Sequence, residues 1–298
     1  MKFIIRDDDI NYHYEAAQLA KWYAGILDIC PISICIPAFV KGDFFKWVEV
    51  FEKHIPYNQE EWLSDNKIYK IGDNIRLVEY LQKLLNEKRI SLSLHGVYHR
   101  NDEMELGEVK NNFIRGAEYY TNRDYTSTVR DAKRYLEGLF GVSICSFTPP
   151  QNMVNLNGFK AIKANGLSLC TDYVGRKRYY EGIQMYGLFN FLKIILYSFG
   201  RGRYPHIYPY VFSNDNVFFV EHCRLQPGKK IDYIKKVFDY TYRKNGVFVL
   251  STHSYGFDHK MTYYNMTMKE ALLDVIHYSQ RYENVEYTTL QELFNRNK

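Results

Sequence analysis

Phe3-Ile4-Ile5-Arg6-Asp7-Asp8-Asp9 opens the chain with a short apolar run that ends in three consecutive carboxylates. The apolar part reads as a β-strand, and the acids fall at its end. Three adjacent carboxylates repel one another and resist desolvation unless a cation compensates them. Arg6 can neutralise one charge and a divalent metal another. A solvated acidic loop is the plainer reading of a charge run, but it seldom follows a buried strand so closely.

Further along the chain, Ile32–Phe39, Ile90–Leu94, Val142–Phe147, Leu167–Thr171, Val217–Val220, Val247–Ser251 and Val285–Thr288 also read as strands. Glu15–Leu27, Phe44–Glu52, Ile75–Glu87, Ser127–Leu139, Gly158–Ala164, Ile231–Arg243, Met268–Tyr282 and Leu290–Phe294 read as helices between them. Strands apolar on both faces that alternate with helices indicate a parallel sheet covered by helices. Chemistry in such folds sits at the C-terminal ends of the strands. The polar clusters fall there: Asp7–Asp9 after the first strand, His95 after the third, Thr148–Asn152 after the fourth, Asp172 after the fifth and His253 after the seventh.

Composition bounds the class. The 298 residues are 46% hydrophobic and 24% charged, which is ordinary globular composition and excludes a disordered tail, a collagen-like rod or a disulfide-stapled miniprotein. One α/β barrel of about 250 residues accounts for most of that length. The five cysteines are odd in number and match neither a zinc knuckle nor a CxxC pattern, so reduced thiols in a cytosolic protein are expected. Arg6 interrupts the N-terminal apolar run well short of the roughly 7–15 residues of a signal peptide. No run reaches the ~18–20 apolar residues of a spanning helix. The expectation is a cytoplasmic protein, soluble or peripheral to the inner face of the membrane.

Net charge is +5, and residues 173–212 carry all of it, with six basic residues against one acid. This argues against nucleic acid as a partner and for a local anion-facing patch. The same 40 positions hold 12 aromatics in a chain already 17% aromatic. Such richness marks surfaces that stack on sugars or meet a membrane interface, or else a codon bias. Ile183–Phe199 reads as one helix with a polar stripe at Gln184, Gly187, Asn190, Lys193 and Tyr197. Its broad apolar remainder packs as core or lid, or lies on an interface. In the second case Arg176, Lys177, Arg201 and Arg203 meet phosphates of an anionic lipid or a lipid-linked glycan.

His95-Gly96-Val97-Tyr98-His99 places two imidazoles four apart, which on one helical turn face the same way and can share a metal. One Asp and two His leave coordination positions open, a set that takes zinc, iron, cobalt, nickel or manganese. A second Asp beside the metal can accept a proton from water. His253 can protonate a leaving group, or be a core histidine bonded to backbone. In Thr148-Pro149-Pro150-Gln151-Asn152 the prolines remove two donors, so the next free N–H is that of Gln151. It can serve an oxyanion, although a plain turn is the commoner meaning of Pro-Pro. No GxSxG or Gly-rich phosphate loop is present. A paired-carboxylate glycosidase using Asp8 and Asp172 would leave the spaced histidines without work.

Taken in order, these five motifs resemble the polysaccharide deacetylase superfamily, of the carbohydrate esterase family 4 type, over nearly the whole chain. The resemblance implies a distorted (β/α)7 barrel, one domain over 1–298 with an aromatic, basic insertion at 173–212. It implies metal-dependent removal of an N-acetyl or related acyl group from a sugar of a polysaccharide or lipid-linked glycan precursor. It assigns Asp8 as general base, Asp9, His95 and His99 as ligands of a divalent metal (zinc first), and His253 as general acid. The register is open by one, since Asp7 and Asp8 can fill the roles of base and ligand. Gln151 and Asn152 stand in the oxyanion motif, which lacks its usual Arg; Arg6 substitutes by orienting the base. Asp172-Tyr173 matches the fourth motif. Two other readings remain: a non-catalytic barrel that binds glycan or a protein partner, and a metal-dependent amidase on a non-sugar amide.

Overall fold

The computed structural model describes residues 1–42, 44, 66–103, 116–174, 178–199 and 207–296. Its central strands are β1 (Lys2–Asp7), β2 (Ile32–Ile36), β5 (Ile90–Leu94), β6 (Ser146–Phe147), β7 (Ser168–Cys170), β9 (Val217–Val220), β10 (Cys223–Arg224) and β11 (Val247–Thr252). Two short strands, β3 (Phe39–Lys41) and β4 (Ile68–Lys70), form a separate antiparallel pair. β8 (Phe212–Asn214) is antiparallel to β9, and β12 (Glu286–Tyr287) adds to β1.

All the central pairings are parallel, in the order β11-β1-β2-β5-β6-β7-β9. β9 and β10 belong to one run interrupted at Glu221-His222. The first half pairs with β7 and the second with β11. The sheet therefore curls round on itself as a distorted barrel, with its seam at that interruption. This is the mixed α/β barrel expected from the alternation of strands and helices.

Burial explains the strands. Every residue of β2, β5 and β11 is buried, as a sheet covered on both faces requires. The helices are α1 (Ala16–Tyr23), α2 (Ile75–Asn86), α3 (Thr126–Phe140), α4 (Leu156–Ala164), α5 (Tyr179–Tyr186), α6 (Leu188–Phe199), α7 (Ile231–Arg243), α8 (Met268–Ser279) and α9 (Leu290–Asn295). α2 is representative. Asn74 caps it by accepting from the Leu77 N–H, and Leu77, Val78, Leu81 and Leu84 form its buried stripe. Each such side chain contributes roughly 1.5–3 kcal/mol on burial, well above what intrinsic propensity supplies.

Several local expectations shift. Ile32–Phe39 is not one strand: β2 ends at Ile36, and Phe39 turns away to pair with Lys70 in β4. Pro37 lacks the N–H that would continue the ladder. Only Ser146 and Phe147 of Val142–Phe147 join the sheet. Ile183–Phe199 is not one helix either, because Gly187 takes φ +77° and separates α5 from α6. The helix expected at Phe44–Glu52 lies, beyond Phe44, outside the described residues. All five cysteines are buried and none forms a disulfide.

Candidate active site

The strand β1 delivers its acids to the C-terminal end of the barrel. Asp9 then adopts φ +73°, a left-handed conformation seldom taken by a non-glycine residue. Asn11 braces it by donating from Nδ2 to the Asp9 carbonyl at 2.7 Å. The turn aims the Asp9 carboxylate at three imidazoles. Its Oδ1 lies 2.8 Å from His95 Nε2 and 2.7 Å from His99 Nε2, and its Oδ2 lies 3.4 Å from His253 Nε2. Ligand atoms of Asp9, His95 and His99 all fall within 4.8 Å of one another, and all three residues are buried.

The histidine pair does not stand on a helical turn, as its spacing invites. Residues 95–99 form a loop in which Gly96 (φ +77°) and His99 (φ +65°) are both left-handed. The loop folds around Glu118, a residue that sequence reading missed. The buried Glu118 carboxylate accepts from the backbone N–H groups of Val97, Tyr98 and His99 at 2.7–3.1 Å. A Cβ at position 96 would meet Glu118 Oε2 at 2.2 Å, so glycine is required there twice over. Burial raises the Glu118 pKa to about 7 against the pull of those N–H donors. On the far side, His95 Nδ1 lies 2.8 Å from the Thr148 carbonyl. A carbonyl only accepts, so Nδ1 carries a proton, which leaves Nε2 as the nitrogen that faces Asp9 and is placed to meet a cation.

Asp8 occupies a different environment. Arg6 Nη2 donates to its Oδ2 at 2.7 Å and to Asn152 Oδ1 at 3.1 Å, while Arg6 Nη1 donates to the Cys170 carbonyl at 3.1 Å. Arg6 thus links the Asp8 carboxylate to the Asn152 side chain. Burial would raise the Asp8 pKa, but Arg6, His95 and His253 outweigh it and hold the group below its usual range. Burial is likewise outweighed at Asp9 by His99 and His95, which keep that carboxyl well below the usual value. The second Asp8 oxygen, Oδ1, is buried with no hydrogen-bond partner among the described residues. Gln151 and Asn152 both have positive φ, and the Gln151 N–H has no acceptor among the described residues.

Asp7 is turned away from the histidines. Its oxygens accept from the Tyr23 hydroxyl at 2.6 Å and the Ser254 N–H at 2.7 Å, and burial raises its pKa to about 7. It ties β1 to the loop that carries His253. Asp172 also lies outside the cluster. It pairs with Arg224, and its Oδ1 is 3.2 Å from His222 Nε2, while His222 Nδ1 is 2.6 Å from Ser251 Oγ. Burial and the charge of Arg6 lower the His222 pKa to about 4, so this ring is neutral at pH 7. Burial would raise the Asp172 pKa, but the adjacent His222, Arg224 and Arg6 outweigh it and bring it down to about 2. Of the residues expected at the insertion's charged edge, Arg176, Lys177, Arg201 and Arg203 lie outside the described residues.

The donor set suits a divalent cation by its own chemistry. Two imidazoles and one carboxylate converge in a buried space, the Nδ1 of one imidazole is committed to a backbone carbonyl, and the adjacent residue Asp8 keeps one carboxylate oxygen without a hydrogen-bond partner among the described residues.

No protein-family model matches the sequence, and no curated protein matches it. Among solved structures, the chain is similar to a GH57 branching enzyme of Thermococcus kodakaraensis, with 10% identity and a TM-score of 0.50 over 100% of this chain and 71% of that one. A family 4 acetyl xylan esterase from Clostridium thermocellum aligns at 10% identity and a TM-score of 0.43, over 99% of this chain and 91% of that one. A 4-alpha-glucanotransferase from Thermococcus litoralis aligns at 11% identity and a TM-score of 0.48; the alignment covers 99% of this chain but only 40% of that enzyme's length. At such identities the likeness is one of fold.

Proposed function

We propose that the protein is a metal-dependent deacetylase that removes an N-acetyl or related acyl group from a sugar of a polysaccharide or lipid-linked glycan precursor. The observation that carries this reading is the buried convergence of Asp9, His95 and His99 beside the free oxygen of Asp8. Those three residues would hold the cation, zinc being the best match to two nitrogens and one oxygen. When bound, it supplies Lewis-acid polarisation of the acyl carbonyl and brings the pKa of water toward neutrality.

The remaining work belongs to the chain. Asp8 is ionised at neutral pH because Arg6 holds it so, and its free Oδ1 accepts the proton of the attacking water. The Gln151 N–H donates to the oxyanion of the tetrahedral intermediate. His253 donates a proton to the departing amine. It stands against the other oxygen of Asp9 and is the most exposed of the three imidazoles there, at 27%. Tyr255, half-buried, lies 5.2 Å from the His253 ring and offers apolar surface against which a sugar can stack. Residues 173–212 would make the peripheral contact with anionic lipid or lipid-linked glycan, on the cytoplasmic side.

The test combines metal analysis of the purified protein with acetate release from N-acetylated amino-sugar oligomers. The expected result is about one equivalent of divalent metal and measurable release, both lost in Asp9→Ala. A metal-free protein that binds glycan equally well with Asp9→Ala would be a non-catalytic barrel. Turnover of a simple amide but of no acetylated sugar would make it an amidase.

A further inference from the structure

Two polar residues of α6, Asn190 and Tyr197, face the protein. Asn190 Nδ2 donates to the Ser213 carbonyl at 2.9 Å, and the Tyr197 hydroxyl donates to the Ile207 carbonyl at 2.6 Å. Phe191 and Ile194 complete the buried side. The outer side carries Leu188, Phe189, Leu192, Leu196 and Phe199, which are 46–80% exposed. At about 100° per residue these five fall in one sector roughly 100° wide. Exposed Lys193 borders it. A contiguous apolar patch of this kind marks an interaction site.

We propose that this face of α6 docks onto an anionic lipid bilayer, with the helix axis in the plane of the surface. Charge selects the occupant. Residues 173–212 hold the entire +5 of the chain, and their one acid, Glu181, is already paired with Arg178. In sequence, Arg201 and Arg203 follow the last residue of α6 within four positions. A second copy of the chain would bring like charge against like charge, whereas anionic lipid attracts it. α6 has 12 residues and is too short to span a bilayer, and no helix among the described residues is long and apolar enough to cross one. The helix lies on the membrane rather than through it.

The docking deepens the proposed function by choosing the lipid-linked glycan as substrate class, and in that respect it rests on that reading. The chain leaves the barrel at Asp172, and Arg178 Nη2 donates to the Val154 carbonyl, two residues past Asn152. A docked α6 is thus joined through α5 to the segment that follows the Pro150–Asn152 turn.

Co-sedimentation with vesicles of phosphatidylcholine alone and of phosphatidylcholine with phosphatidylglycerol tests the proposal. The expected result is binding to the anionic vesicles, weakened by salt and by Lys193→Glu, and at least about tenfold weaker in Phe189→Glu/Leu196→Glu. Acetate release from a soluble acetylated sugar should be unchanged in these variants. No binding by the wild type, or binding that none of the substitutions changes, overturns the proposal. So does a wild-type dimer, seen by light scattering, that the double variant dissociates. Vesicle binding without any sugar turnover by the wild type would refute the deacetylase reading while leaving the docking intact.

Discussion

At the mouth of the barrel, Asp8, Asp9, His95 and His99 are all buried, while on α6 five large apolar side chains face outward. The two regions depart from ordinary burial in opposite directions. A buried charge is tolerated when a counter-charge or a cation meets it. An exposed apolar face is tolerated when something apolar covers it in use. Each region is therefore complementary to a partner of a definite kind: a small hard cation in one case and a soft, extended, anionic surface in the other. The difference also shows in how they are held. Loop 95–99 is pinned by three backbone N–H groups on one carboxylate. α6 is held by Phe191, Ile194 and the side-chain hydrogen bonds of Asn190 and Tyr197 along one edge.

The largest expected effect separates the two carboxylates within the buried region. Asp8→Asn keeps an oxygen for Arg6 but removes the proton acceptor. Activity should fall by about 10²–10⁴-fold, the usual worth of a general base, while metal content stays at the wild-type level. Metal analysis and acetate release on one preparation check this. Loss of metal in Asp8→Asn would make Asp8 a ligand and move the register of the three aspartates by one.

His222 shows what burial and the nearby charge of Arg6 do to an imidazole outside the cluster. Its pKa is lowered to about 4 from an ordinary value near 6.5, whereas His95, equally buried, is raised despite burial because it faces Asp9. A depressed histidine pKa means that the unfolded chain binds more protons between those values. The His222 contribution is thus intact above pH 6.5 and is lost as pH falls toward 4, by about 3 kcal/mol. Asp7 and Glu118, both raised to about 7, act with the opposite sign over much of that window. The clean measurement is the stability of wild type minus that of His222→Gln, by urea unfolding at pH 7.5 and 4. A difference that does not shrink on acidification contradicts a neutral, buried His222.

Glu118→Gln addresses the pinned loop. The amide presents its NH₂ to at least one backbone N–H, so the loop loses acceptors while its shape is nearly kept. Metal affinity should fall by about 10–100-fold, the usual effect of disturbing groups that orient ligands. Activity at saturating metal should change little. Calorimetric titration of the metal-stripped protein reads the first quantity and kcat at high metal the second. A fall in kcat with unchanged affinity would place Glu118 in the chemistry instead.

The contrast between the regions also governs what the sequence could reveal. The ends of β1, β5 and β11 were legible because apolar runs give way, within three residues, to Asp7, His95 and His253, and that pattern is local. Glu118 left no such trace, since its partners lie about twenty positions away and its role depends on two left-handed residues in the loop. Asp172 stands at a strand end as expected, but its neighbours His222 and Arg224 come from the seam of the barrel, which no spacing announces. For α6, periodicity showed that Asn190, Lys193 and Tyr197 share a stripe. It did not show that Asn190 and Tyr197 turn toward the protein, because a helical pattern says which residues lie together and not which side the rest of the fold takes.

The smallest expected effect is the one that makes α6 different from the barrel mouth. Leu196 is 68% exposed, so Leu196→Glu removes little packing. Its stability should stay within about 0.5 kcal/mol of wild type, as for surface substitutions in general. A leucine packed in the interior would instead cost several kcal/mol on replacement by a charged residue. Thermal unfolding in the absence of lipid decides between them. A large drop in Tm would mean that other parts of this same chain cover α6, and the opposition between a site completed by a cation and a face completed by a membrane would then reduce to a single unusual region. An unchanged Tm together with lost vesicle binding keeps both regions, and assigns the exposed leucines to binding rather than to folding.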